Sequence, residues 1–311
     1  MKRVLLFFLG ILICLNCVLF YGCNEKSNNS NNDNKVKIGY LPITHSLPLY
    51  AEKVIEKEDI ELVKFGSWPE LMEALNCGEI DGASVLIELA MKAKSQGINI
   101  KAVALGHTDG NAVIVDEKIK NVKQLKGKTF AIPNKLSTHN ILLYEMLKQN
   151  NMKASDLNIV ELSPSEMPVA LLEGRIDGYC VAEPFGAKSI VNGNARVLYQ
   201  SSDLMENSIC CALVLRDEII KTSKAQSIVN NYVKASKYLH DKDKASKLCS
   251  DYLKISDEVL NESLGWISFD KLKIEKEDYD NICNAMQELK LLDNIPNYEE
   301  FVDNSLLEKV S

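Results

Sequence analysis

Thr44-His45-Ser46 and Ser137-Thr138-His139 carry hydroxyls and an imidazole at two corresponding places in a chain of 311 residues that has only four histidines. Each set opens a stretch with helical periodicity, THSLPLY at 44–50 and THNILLY at 138–144. At such a position the unpaired N–H groups of the first turn and the helix dipole favour an anion or a hydrogen-bond acceptor, and the side chains add donors of their own. A Ser or Thr there also caps a helix, but recurrence of Thr-His in both halves favours ligand binding. The two loops contain no Arg, the bidentate partner of sulfonates and phosphates, and Lys135 is their one obvious cation. No Ser/His/Asp triad, Gly-rich phosphate loop or HExxH motif accompanies them, so the chemistry expected is binding without turnover. Of the nine cysteines, Cys14 and Cys17 lie in an apolar leader; Cys77, Cys180, Cys210, Cys211, Cys249 and Cys283 belong to the body. Their wide spacing shows no compact disulfide framework and no zinc-ligand pattern. They read as buried small hydrophobes, with Cys210 and Cys211 on opposite faces of a strand, and no metal or cofactor is expected.

The elements that must position these loops alternate. Strand patterns at 36–41, 60–65, 80–85 and 98–105 are separated by helical patterns at 47–56, 69–76 and up to about 96. The cycle restarts with KTFAIP (128–133), a helix at 138–149, a strand at 157–162, a helix at 165–173 and a strand at 176–181; from 218 onward helical periodicity dominates. Alternation of this kind implies parallel pairing with right-handed crossovers and helices on both faces of a sheet. The restart is an internal repeat: ALNCGEIDGASV (74–85) and ALLEGRIDGYCV (170–181) share Ala-Leu-x-x-Gly-x-Ile-Asp-Gly-x-x-Val. A period near 95 residues marks two domain-sized halves rather than a solenoid. In open α/β sheets the ligand crevice lies beyond the carboxyl ends of the strands, where the two Thr-His loops belong.

Lys2 and Arg3, an almost wholly apolar run at 4–20 and the small residue Gly22 before Cys23 have the layout of a secretory signal, followed by an Asn/Ser-rich tract at 24–34. The Gly22-Cys23 junction resembles that of bacterial lipoproteins, which implies lipidation of Cys23, removal of residues 1–22, a tether at 23–34 and anchorage outside the cytoplasmic membrane. The formal charge of −7 offers no basic excess for nucleic acid.

KIGYLPITHSLPLYAEK (37–53), VKFGSWPELMEALNCGEIDGAS (63–84), VKQLKGKTFAIP (122–133), VALLEGRIDGYCVAEPFGAK (169–188) and ICCALVLRDEII (209–220) resemble the substrate-binding proteins of ABC importers in the nitrate/sulfonate/taurine/bicarbonate group, which includes binders of thiamine-pyrimidine precursors. The resemblance implies an α/β, two-lobed periplasmic-binding-protein-like fold (type II), with 35–115 and 212–311 in one lobe, 116–211 in the other, and crossover strands near 111–116 and 208–215. It implies capture of a small anion of the nitrate, sulfonate or bicarbonate kind by a monomer that delivers it to a membrane permease and its ATPase subunits. A heteroaromatic ligand is the alternative, and an enzyme of thiamine-pyrimidine or menaquinone biosynthesis on the same fold is a more distant one. Carried over by position, the ligand-facing residues are Thr44, His45, Ser46, Trp68, Ser84, Asn111, Ser137, Thr138, His139, Glu183 and Phe185.

Overall fold

The computed structural model describes residues 35–56 and 60–310; the leader, Cys23 and the tether lie outside them. Strands β1 (Val36–Tyr40), β2 (Ile60–Lys64), β3 (Gly82–Leu86) and β4 (Ile100–Leu105) alternate with helices α1 (Leu47–Ile55), α2 (Trp68–Cys77) and α3 (Ile87–Ser95). A short β5 (Thr108–Asp109) leads into β6 (Asn111–Asp116), β7 (Thr129–Ile132), α4 (Thr138–Gln149), β8 (Asn158–Glu161), α5 (Met167–Leu172), β9 (Gly178–Ala182), α6 (Phe185–Val191), β10 (Ala195–Gln200), α7 (Ser201–Leu204) and β11 (Cys211–Arg216). The tail is mainly helical: α8 (Asp217–Ile220), α9 (Ser223–Leu239), α10 (Lys242–Leu253), α11 (Asp257–Leu264), β12 (Ile267–Ser268), α12 (Lys276–Glu288), α13 (Tyr298–Phe301) and α14 (Ser305–Glu308).

Two five-stranded sheets form, in the orders β2-β1-β3-β11-β4 and β8-β7-β9-β6-β10. They have one topology. In each, the first three strands run parallel, and the fourth, antiparallel to both of its neighbours, is supplied by the chain crossing from the other half. The first crossing lies between β4 and β6 and the return lies between β10 and β11. The whole of β6 therefore sits in the second sheet, so the change of lobe falls ahead of Asn111 rather than after residue 115.

The repeated Gly-x-Ile-Asp-Gly motif explains itself at each position. Gly78 (φ 77°) and Gly174 (φ 70°) take the left-handed conformation that ends or follows a helix. Asp81 and Asp177 then fasten the incoming segment to the neighbouring strand: each accepts a backbone N–H on its carboxylate (Lys37 at 2.8 Å, Thr129 at 2.9 Å) and donates its own N–H to the same residue's carbonyl. The second glycine lies where the crossing strand passes. A Cβ on Gly82 would meet the Val214 carbonyl oxygen at 2.5 Å, and one on Gly178 the Ile114 carbonyl oxygen at 2.9 Å. The motif is thus the seat for the antiparallel crossover strand in both lobes.

Both sheets are covered on each face. One apolar cluster joins β3, β11, α2, α3, α12 and α13 and continues across the junction to Leu136, Ile141 and Ala182. Clusters around α9 and α10 cover the opposite face of the first sheet, and two more enclose the second. The tail also touches the first crossing, where β12 pairs antiparallel with β5.

Candidate functional site

The two Thr-His loops arrive at equivalent places. Thr44 and His45 lie in a 3-10 turn ahead of α1, and Thr138 and His139 form the first turn of α4; all four are buried. Each threonine reaches into the opposite lobe. Thr44 donates from both its N–H (2.8 Å) and its hydroxyl (2.9 Å) to the carbonyl of Glu183, just beyond β9. Thr138 Oγ1 lies 2.6 Å from Glu88 Oε1, just beyond β3, and 3.1 Å from the Ile209 carbonyl in the return crossing. The lobes are shut on one another through a reciprocal pair of contacts.

His45 brings together residues that sequence spacing did not group. His45, His107, Cys210 and Cys211 place their donor atoms within 4.8 Å of one another, all buried. His107 comes from the first crossing, Cys210 from the second and Cys211 from the strand it enters. The strand starts at Cys211, so the opposite-face alternation expected for the pair does not apply. Instead their sulfurs lie 3.9 Å apart, on one side. Reading the two cysteines as isolated hydrophobes, with no Cys/His cluster, is therefore corrected: three chain segments far apart in sequence assemble the group.

The tautomers of both imidazoles follow from their partners. Asp109 (φ 58°) and Gly110 (φ 78°), successive left-handed residues, present consecutive carbonyls. His107 Nδ1 donates to Asp109 O at 2.7 Å and His45 Nε2 donates to Gly110 O at 2.9 Å, because a carbonyl can only accept. That leaves a lone pair on His45 Nδ1, 3.5 Å from Cys211 Sγ, and on His107 Nε2, which the Cys211 N–H approaches at 3.4 Å. The two rings overlap with centroids 3.5 Å apart.

Burial, reinforced by His45, pushes His107 down to about 4; burial also takes His139 to about 4. Both are neutral near pH 7. Burial works against ionisation of Cys210 while hydrogen bonding from Cys211 favours it, whereas burial and Cys210 drive Cys211 up. Glu88 is raised to about 8 by burial, with Cys210 adding to it.

The remaining expected residues divide. Ser46 and Ser84 meet hydroxyl to hydroxyl at 3.4 Å, and Asn111 borders the cluster, its Oδ1 accepting from Cys210 Sγ at 3.8 Å. His139 is 1% exposed, and neither ring nitrogen has a hydrogen-bond partner. Ser137 spends its hydroxyl on capping α4, accepting from Asn140 N and donating to Asn134 O. The Glu183 carboxylate turns into its own helix and accepts the Ala187 N–H at 3.0 Å. Phe185 is half-buried between apolar clusters. Trp68 borders a separate cavity of about 270 Å³ between α2, α3 and Asn134. Lys135, the loop cation, is exposed, and no lysine or arginine is buried among the described residues. His107, Cys210, Cys211 and Glu88 were missed. Their only local signals were a histidine two residues after a strand and two adjacent cysteines at the start of one.

Two like-folded lobes, two crossings and a buried polar junction define the two-lobed periplasmic-binding class of α/β protein. The chain belongs to the NMT1-like family, whose pattern matches residues 29–251. It is 41% identical to the ligand-binding component of an ABC-type import system from Staphylococcus aureus, whose crystal structure has zinc bound; that similarity covers 89% of this chain and 99% of the other, with a TM-score of 0.85. The nitrate-binding protein NrtA of Synechocystis PCC 6803 shares the fold at TM-score 0.78 and 16% identity, over 89% of this chain and 88% of NrtA. A putative aliphatic sulfonates-binding protein of Escherichia coli K12 is 29% identical over 181 residues, 54% of this chain; the chain spans 56% of that protein's length.

Proposed function

We propose that this protein is the solute-binding component of an ABC-type importer, which captures a small ligand between its lobes and passes it to a membrane permease. The observation that carries the reading is the reciprocal seal at the junction, Thr44 to Glu183 and Thr138 to Glu88. A clamp that must open needs closing contacts that are specific and individually weak, and hydrogen bonds contributing about 0.5–1.5 kcal/mol each meet that need. The similarity to import-system binding components supports the same role. Those relatives are named with zinc, nitrate and aliphatic sulfonates, so within one fold the cargo is set by the side chains at the junction. Acylation of Cys23 would hold the clamp outside the membrane beside its permease, as a monomer.

Native mass spectrometry of the freshly isolated full chain tests this. The expected result is a bound small species that leaves chemically unchanged when the protein is denatured. A protein that converts that species, or that carries none and shows no change in small-angle scattering across the ions and solutes named for its relatives, overturns the reading.

A further inference from the structure

We propose that the cargo is a transition-metal cation of the zinc class, held by His45 Nδ1, His107 Nε2, Cys210 Sγ and Cys211 Sγ. The inference rests on the clamp reading and names its ligand. Around an ion with metal–sulfur bonds of about 2.3 Å and metal–nitrogen bonds of about 2.0 Å, tetrahedral edges are about 3.8 Å between sulfurs and about 3.5 Å between sulfur and nitrogen. The protein holds its sulfurs 3.9 Å apart and Cys211 Sγ 3.5 Å from His45 Nδ1. These two of the six donor pairs already stand at tetrahedral edges, and the whole set lies within 4.8 Å, so small side-chain rotations would let a shared ion replace the weak thiol contacts.

The shell around them is that of a metal site. A ligating imidazole characteristically donates its other N–H to a carbonyl or carboxylate, which fixes the ring and its tautomer. Both histidines do so, to adjacent carbonyls, and this leaves each lone pair on the nitrogen that faces the sulfurs. Charge agrees: a dication with two thiolates is neutral, whereas a lone anion in the same buried place would find no lysine or arginine. Thiolate and imidazole donors select zinc-class ions over magnesium or calcium, which prefer oxygen.

The donors are also placed where binding can act on closure. His45 and Cys211 belong to the first lobe, His107 to the first crossing and Cys210 to the return crossing, so a bound ion ties both hinge segments to that lobe. On binding, each thiol gives up its proton to solvent as its sulfur bonds the metal; no oxidant or reductant is involved.

Zinc and cobalt(II) titrations of the full chain test the proposal. One equivalent of cobalt should give the intense visible bands of a tetrahedral site and thiolate-to-metal charge transfer. Cys210→Ser and Cys211→Ser should each weaken zinc by more than about 100-fold, the upper cost of losing a supporting contact alone. Cys180→Ser, a buried thiol outside the group, should bind as the parent does. The wild-type cobalt spectrum stands whether or not the serine variants fold. Absence of a one-equivalent site, or a cobalt spectrum without charge transfer, overturns the metal. If native mass spectrometry then still finds a non-metal solute, the clamp reading survives alone. Zinc bound with no change in scattering would make the ion a staple and overturn it as cargo.

Discussion

Glu183 shows how one residue can be legible in sequence in two roles at once. Before Pro184 and a helix, a carboxylate can receive a ligand or cap the helix; here one oxygen accepts the Ala187 N–H in full burial and the other has no hydrogen-bond partner. Burial raises it to about 8, above the ordinary glutamate value of about 4.3 that it regains on unfolding. Between those values the folded chain holds a proton that the unfolded chain has lost. Stability therefore falls as pH rises through this window, by at most about 1.4 kcal/mol per pH unit from this group. Glu183→Gln should remove that part of the slope. Urea unfolding at pH 5, 6.5 and 8 checks it; an unchanged slope in the variant would assign the dependence elsewhere. Three of the four histidines belong to the junction, whereas His240 forms an exposed pair with Asp270. The rarity of histidine draws attention to His45 and His139, and both are buried at the junction. It could not identify His107, because what makes His107 functional is a pair of cysteines about a hundred residues away.

At the scale of elements, the repeat made most of the fold readable. Helix α4 spans the residues expected of it, and the Ala-Leu-x-x-Gly-x-Ile-Asp-Gly copies mark corresponding helix-to-strand joints. Such signals are local: a left-handed glycine and an apolar period act over a few residues. The crossover strands are different, since their partners lie in the other half of the chain. The close passage they need gives a prediction. Gly82→Ala should destabilise the fold by about 1–3 kcal/mol, because its Cβ would meet backbone at 2.5 Å and a crossover strand has little room to yield. Gly97→Ala, with open space around it but a φ of 91°, should cost only the backbone strain of a left-handed residue, about 1 kcal/mol. Thermal denaturation of the two variants separates close packing from strain. The start of α4 carries a second test. In the shut lobes His139 is buried at the junction and makes no hydrogen bond, so His139→Ala should leave one zinc equivalent bound yet speed its release through the junction packing it removes. Stopped-flow release to a chelator measures it, and an unaltered rate would show that His139 does not hold the junction shut.

For the whole molecule, the question is where the clamp works. A binding component serves an importer only if it stays near the permease, and an acidic protein gains little from electrostatic attraction to an anionic membrane surface. A covalent lipid on Cys23, as proposed above, would supply that proximity. The apolar run ends at Gly22-Cys23 and gives way at once to Asn24 and an Asn/Ser-rich stretch, a composition suited to a flexible tether and unsuited to continuing a membrane span. Cys23→Ala should therefore release the body from membranes or leave an unprocessed, larger precursor, and either form should still bind zinc, because the metal donors lie in the folded body. Fractionation of cells followed by mass measurement of each pool reads both effects. Retention of the variant in membranes at the mature mass would rule out acylation at Cys23 and require another anchor.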